Sequence, residues 1–276
     1  MADISNAPPL ITLLTDFGNR DGYVGVMKGV IACISPHARV VDLTHEIPPQ
    51  DIRSGAFLLG EWFRYFPQGA IHVAVVDPGV GSARRGLAVF SHGHCFIGPD
   101  NGVLGRVLEG ARVHLLSERK YWLEEVSNTF HGRDVFAPVA AWLSRGRAIQ
   151  DFGPPCPDPV RLDSEDPTQV EEGWRGEVVY VDRFGNLVTS FHRRFLDSLS
   201  LESGLTAYLA DGSCWPLRST YSEVPPGETC AVVGGFGRLE LSVNQGNAAK
   251  RTGVKVGDTI MLRPAESRPV LRAGPS

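Results

Sequence analysis

Asp77, Arg84 and His131 are the ionisable residues whose surroundings set them apart. Asp77 ends the apolar run IHVAVV. Arg84 follows across the small-residue turn DPGVGSARR, and His131 lies in NTFHGRD, ahead of a helical stretch. An acid, a guanidinium and an imidazole near strand ends can orient and deprotonate a water. Taken singly, each is more often a cap or a surface ion pair. A second question is posed by TDFGNRDGYVGVMKG, where an apolar run stops at Asp16 and a tight turn delivers Asp21 and Tyr23 to the start of a helix. Strands that end in this way commonly hold a small polar molecule.

Two loops in the second half invite a binding role. DRFGN (Asp182–Asn186) joins two β runs. It reads as a hairpin turn using Gly and Asn for positive φ, or as a stacking plate, Phe184, beside the amide of Asn186 facing a base edge. VNQGNAA, with Asn244, Asn247 and Ala248, has the same two readings.

Several chemistries drop out. DFG occurs twice, but no kinase glycine loop, strand lysine or catalytic-loop signature accompanies it. DPGVG is not a phosphate loop, because the Gly-Lys-Ser/Thr ending is missing. The five cysteines are scattered without a C-x-x-C pair, which excludes a zinc ribbon and a disulfide framework. HGHC (His92–Cys95) has metal-ligand residue types but sits in a turn, and four ligands at workable spacing are not offered. A net charge of −4 without a basic stripe argues against nucleic acid. No apolar run approaches the roughly 18–20 residues of a membrane helix, and MADISNAPPL does not read as a signal peptide. A cytoplasmic location is expected.

The elements that must position these residues follow from periodicity. With 276 residues, 42% of them hydrophobic and 21% charged, the chain has enough apolar material for one large or two ordinary domains. Strands are predicted at residues 11–15, 40–43, 71–76, 87–90, 95–97 and 113–116, several of them nearly continuous apolar runs suited to a sheet covered on both faces. Helices are predicted at 22–34, 50–66, 102–108 and 133–144. Such alternation gives an α/β N-terminal domain with a mostly parallel sheet over residues 1–165. From 151 to 173 the composition turns to Pro, Asp and Glu, and 166–173 reads as a linker. Short β runs then recur to the end, which gives a smaller all-β, barrel-like C-terminal domain over 174–276. The tail from Pro264 is expected to be partly disordered.

In combination, TDFG..DGYVG..KG, DPGVG....R, TFHGRD..AP, D.FGN and NQGNAA resemble one family, the S-adenosylmethionine (SAM) hydroxide adenosyltransferases, or adenosine-forming SAM hydrolases, relatives of the SAM-dependent fluorinase and chlorinase. The resemblance runs from about residue 10 to about residue 262. It implies hydrolysis of SAM to adenosine and L-methionine by in-line attack of an activated water or hydroxide on ribose C5′. It implies a homotrimer with active sites at subunit interfaces, no metal and no cofactor. The family's catalytic set falls on Asp77, Arg84 and His131, its ribose acid on Asp16, and its methionine-end contacts near Asp21 and Tyr23. Its base-binding segment falls on Asp182, Phe184 and Asn186, with Asn244, Asn247 and Ala248 nearby. Halogenating relatives carry a serine in place of Gly132 and a different pocket in place of Asp77. Gly235 stands where relatives usually offer a hydroxyl to the methionine carboxylate, leaving backbone N–H groups around Phe236 as the substitute. Two alternatives remain: a SAM-dependent halogenase, and a SAM- or adenosine-binding regulatory module with negligible turnover. A carboxylate at Asp77 repels halide, and a pure binder has no use for all three catalytic residues.

Overall fold

The first apolar run folds as β1 (Leu10–Thr15), buried from Ile11 onward. The computed structural model describes residues 8–163, 165–199 and 204–265, and the chain forms two compact units that divide between Leu162 and Asp163. In the first unit β1 is followed by α1 (Tyr23–Ile34), β2 (Arg39–Thr44), α2 (Ile52–Trp62), β3 (Ile71–Val75), β4 (Gly86–Ser91), β5 (His94–Pro99), β6 (Arg112–Leu115) and α3 (Ala137–Ser144). The sheet order is β2-β1-β3-β5-β4-β6, with only β4 running against the rest.

Alternation along the strands divides the core. Ile11, Leu13, Ile71, Val73 and Val75 pack with Met27 and Ile31 of α1 and Val139 and Ala140 of α3. The intervening His72 and Phe96 meet Phe63, just past α2, on the other face. The chain passes from β1 through α1 to β2 on one side, then through α2 to β3 on the other. The strand order therefore reverses between β1 and β3, the crevice in which open α/β sheets hold ligands. Thr15 is in register with Val75, so Asp16 and Asp77 leave the same sheet edge on strands about 4.8 Å apart.

All six N-terminal strands appear within a residue or two of their predicted bounds. The helices differ more. The one expected from Gln50 begins at Ile52, because Gln50 adopts φ +69° and Asp51 caps the helix by accepting the Ser54 N–H at 3.0 Å. Residues 102–108 supply only a 3-10 turn, Gly105–Val107. Gly102 there has φ +100° and lies so close to Leu162 that a Cβ would collide. The stretch predicted from 133 opens as a π-turn, Gly132–Phe136, before α3 begins.

The second unit contains β7 (Thr168–Val170), β8 (Gly173–Val181), β9 (Leu187–His192), α4 (Arg193–Ser198), β10 (Leu205–Tyr208), β11 (Cys214–Arg218), β12 (Thr229–Val233), β13 (Arg238–Val243), α5 (Ala248–Thr252) and β14 (Thr259–Pro264). Seven strands close a barrel in the order β14-β10-β11-β12-β13-β9-β8, with β8 returning to β14 and β7 flanking β8. Its core includes Val178, Leu187, Phe191, Trp215, Leu241 and Ile260. The α/β-plus-barrel expectation therefore holds. The tail from residue 266, like the N-terminal residues 1–7, lies outside the described residues. Among the described residues no helix is long and apolar enough to cross a membrane.

HGHC has a structural explanation. His92 and Gly93 form a two-residue hairpin loop between β4 and β5, both with positive φ, as a type I′ turn requires. His94 points inward, with its Nδ1 3.2 Å from His72 Nε2, and His72 Nδ1 is 2.8 Å from Thr12 Oγ1. Burial, then the neighbouring His94, pushes the His72 pKa from 6.5 down to about 3. The fold thus holds His72 neutral where the unfolded chain would protonate it. This contribution to stability is complete above pH 6.5 and is lost as the pH falls toward 3. His72→Gln keeps a polar partner for Thr12 without titrating. It is expected to flatten the fall in unfolding free energy between those pH values, measured by urea denaturation; an unchanged slope would remove His72 as its source.

Candidate active site

Asp77 lies just past β3, and the turn after it folds Arg84 back over the carboxylate. Val80 N–H donates to the Asp77 carbonyl at 3.2 Å, and Ser82 N–H donates to the Gly79 carbonyl at 3.1 Å. Arg84 Nε then reaches Asp77 Oδ1 at 2.9 Å and Oδ2 at 3.0 Å, while its Nη2 donates to Oδ2 and to His131 Nδ1, the latter at 2.8 Å. The guanidinium rests over the Phe136 ring at 5.2 Å, a cation–π contact. The three residues singled out in the sequence are thus one hydrogen-bonded group.

Two loops must meet to make it. Gly81 has φ +78°, and a Cβ there would stand 2.2 Å from the Asn128 carbonyl oxygen. Only glycine lets the 77–84 turn approach the loop leading to His131. Buried Asp134 holds that loop from behind, accepting the Ser127 N–H at 2.8 Å and the Arg133 side chain. The π-turn beginning at Gly132 is the local irregularity that often accompanies functional sites.

Protonation follows from the donors. A guanidinium only donates, so His131 Nδ1 accepts, and a neutral ring then carries its proton on Nε2. Burial, then the Arg84 charge, lowers the His131 pKa; Asp77 and Asp134 oppose this without reversing it. At neutral pH the ring is an uncharged Nε2–H donor. The Asp77 side chain is 5% exposed, and its charge is balanced by the fork of Arg84.

Asp16 stands on the neighbouring strand end, its Oδ2 accepting the Gln50 N–H at 2.8 Å. Asp21 is exposed, and Tyr23 opens α1 with half its surface exposed. Tyr23, Phe17 and Phe130 form an aromatic cluster with centroids 5.2–5.9 Å apart. Gly132 faces it: a Cβ there would contact Met27 Sδ at 3.3 Å and the Phe130 and Phe17 rings at 3.5 Å. Phe17 and Phe130 were not singled out in the sequence, although each adjoins a residue that was, in TDFG and TFHG.

The remaining residues belong to the second unit. Asp182 accepts both the backbone and the side-chain N–H of Asn186, each at 2.8 Å, so DRFGN is a braced turn from which Phe184 projects 73% exposed. Gly185 has φ +85° and packs so closely on the Asn247 amide that no side chain fits. Asn247 caps α5 by accepting the Lys250 N–H at 2.7 Å, and Ala248 behind it is buried. Asn244 donates to the Val224 carbonyl at 2.7 Å. Phe236 lies in the turn between β12 and β13, beside Gly235. The two polar turns are therefore packed against each other, with much of their amide capacity spent on bracing. Among the described residues, no group of three His, Cys, Asp or Glu side chains is arranged to hold a metal ion.

Comparison with known proteins gives one consistent result. The model of the SAM hydroxide adenosyltransferase N-terminal domain matches residues 11–153, and that of the C-terminal domain matches residues 176–261. The chain is 40% identical to an (R)-S-adenosyl-L-methionine hydrolase of Thermus thermophilus over 91% of this chain and 98% of the relative. It is 39% identical to a Salinispora tropica protein of the same name, over 92% and 97%. A fluorinase from Actinoplanes is more distant, at 26% over 95% and 99%. A crystal structure of a conserved protein from Thermotoga maritima superposes with a TM-score of 0.85 at 34% identity, covering 91% of this chain and 99% of that one.

Proposed function

The chain belongs to the SAM hydroxide adenosyltransferase family, and we propose that it hydrolyses S-adenosyl-L-methionine to adenosine and L-methionine. The observation that carries this reading is the Asp77–Arg84–His131 group at the mouth of the β1/β3 crevice. SAM is a sulfonium, so methionine departs as a neutral thioether and the reaction needs no cofactor to activate the leaving group. What it needs is a nucleophile better than bulk water.

Asp77 is the proton acceptor. His131 Nδ1 is occupied by Arg84, and a guanidinium does not act as a base. Water held by His131 Nε2–H and Asp77 attacks ribose C5′ opposite sulfur. The O–C5′ bond forms, the C5′–S pair goes to sulfur, and the water proton passes to Asp77 and then to solvent. Arg84 stabilises the developing hydroxide character. Positive and incipient negative charge cancel along the path, which a dry pocket favours. In-line alignment supplies up to ~7–11 kcal/mol in favourable cases.

In this reading Asp16 accepts hydrogen bonds from the ribose diol. Asp21 and Tyr23 face the methionine end, and Gly132 leaves room beside the aromatic cluster. Asp182, Phe184, Asn186, Asn244, Asn247 and Ala248 hold the base, and backbone N–H groups at Phe236 take the carboxylate. The exposed Phe184 ring is suited to stacking once covered. The protein acts in the cytoplasm, where the five thiols, all free, are at home. It works as a homotrimer with active sites at subunit interfaces.

Two measurements test this. In ¹⁸O-labelled water, SAM is expected to give adenosine labelled at O5′; a halogenated nucleoside, or bound and unconverted SAM, would overturn the reading. The mass in solution is expected near three times 30.0 kDa; a monomer under conditions of full activity would exclude the shared site.

A further inference from the structure

Residues 44–50 close over the turn that carries Asp16, and His45 is the centre of that contact. His45 is 2% exposed. Its carbonyl accepts the Gly18 N–H at 2.7 Å, pinning the turn where Gly18 takes φ +67°. Its ring Nδ1 lies 2.9 Å from Thr15 Oγ1. Thr15 is fully buried, and its Oγ1 also accepts the Phe17 N–H at 3.2 Å. His45 Nε2 stands 3.1 Å from Asp42 Oδ1, at an angle too oblique for a full hydrogen bond, and Asp42 Oδ2 receives Lys28 Nζ at 2.7 Å. A carboxylate facing Nε2 keeps the proton there, so Nδ1 accepts from the Thr15 hydroxyl.

Asp16 therefore sits between Thr15, tied to the His45 ring, and Gly18, tied to the His45 backbone carbonyl. Its own Oδ2 is held by the Gln50 N–H, from the far end of the same segment. Gln50 reaches that position only by taking φ +69°, a left-handed conformation uncommon for a residue with a Cβ. A cis-diol presents two hydroxyls at a fixed separation, so a carboxylate that swings freely loses the alignment on which recognition depends.

We propose that His45 is a positioning residue for Asp16: through Thr15 and Gly18 it fixes the backbone on both sides of the carboxylate, and so sets the preference for a ribose that carries both hydroxyls. The inference rests on the reading of Asp16 as the ribose-binding acid, and the test separates the two.

Affinities of the full-length protein for adenosine and for 2′,3′-dideoxyadenosine are compared by calorimetry in the native chain and in Asp16→Ala, His45→Phe, His45→Asn and Thr15→Val. Asp16→Ala is expected to abolish the preference for adenosine. His45→Phe is expected to lower it about tenfold while leaving the dideoxy affinity unchanged. His45→Asn, whose Oδ1 reaches the place of Nδ1, should restore most of it, a rescue that loss of bulk packing does not predict. Thr15→Val deletes the same contact from the other side at nearly equal volume, together with the acceptor of the Phe17 N–H, and should lower the preference even where His45→Phe does not fold. If Asp16→Ala abolishes the preference but Thr15→Val and His45→Phe retain it, His45 does not position Asp16, although Asp16 still binds ribose. If Asp16→Ala retains the preference, the ribose reading fails and the inference falls with it.

Discussion

The site depends on the guanidinium of Arg84, shared between a carboxylate and an imidazole. Arg84 must satisfy Asp77 on one side and His131 Nδ1 on the other while its flat face lies on Phe136. Each contact constrains the next. Without Arg84, a largely buried Asp77 loses its counter-charge, which raises the energy of its ionised form. Among the described residues, the Arg84 donor to Nδ1 is what fixes the tautomer of His131. A lysine carries the same charge but has no planar fork with which to do both.

The rest of the first unit can be understood as support for that arrangement. The reversal of strand order puts the ends of β1 and β3 side by side, so one crevice carries both the Asp77–Arg84–His131 group and Asp16, the water-activating group and the sugar carboxylate of the proposed reaction. The turn after β3 is rich in small residues because it has to double back, and Gly81 lets it touch the loop that bears His131. Asp134 and the π-turn hold that loop from behind, and residues 44–50 hold the turn after β1. Two irregular pieces of backbone, Gln50 with φ +69° and the π-turn Gly132–Phe136, belong to these supports.

Much of this was legible in the residues themselves. Strands such as IHVAVV are buried on both faces, so a nearly continuous apolar run marks them and its end marks Asp77. Less regular pieces were not legible. β11 contains Pro216, which argues against a strand, and one of its two partner strands, β12, runs parallel to it. β7 has three residues in an acidic, proline-rich stretch and exists because β8 extends far enough to pair with it. The helix expected at 102–108 fails because Gly102 is committed to a left-handed φ against Leu162, a contact between distant residues. The bracing role of His45 was equally hidden, since its partners Thr15, Gly18 and Asp42 come together only across β1 and β2.

The most direct test is single-turnover cleavage of SAM by Arg84→Lys, with adenosine affinity measured on the same preparation. Charge is conserved while the simultaneous contacts to Asp77 and His131 are lost. The account predicts a chemical step slowed by about 10²–10³-fold, the scale of losing one preorganised donor, with adenosine affinity unchanged. A rate within a few-fold of the native protein would show that the shared guanidinium is not what activates the water.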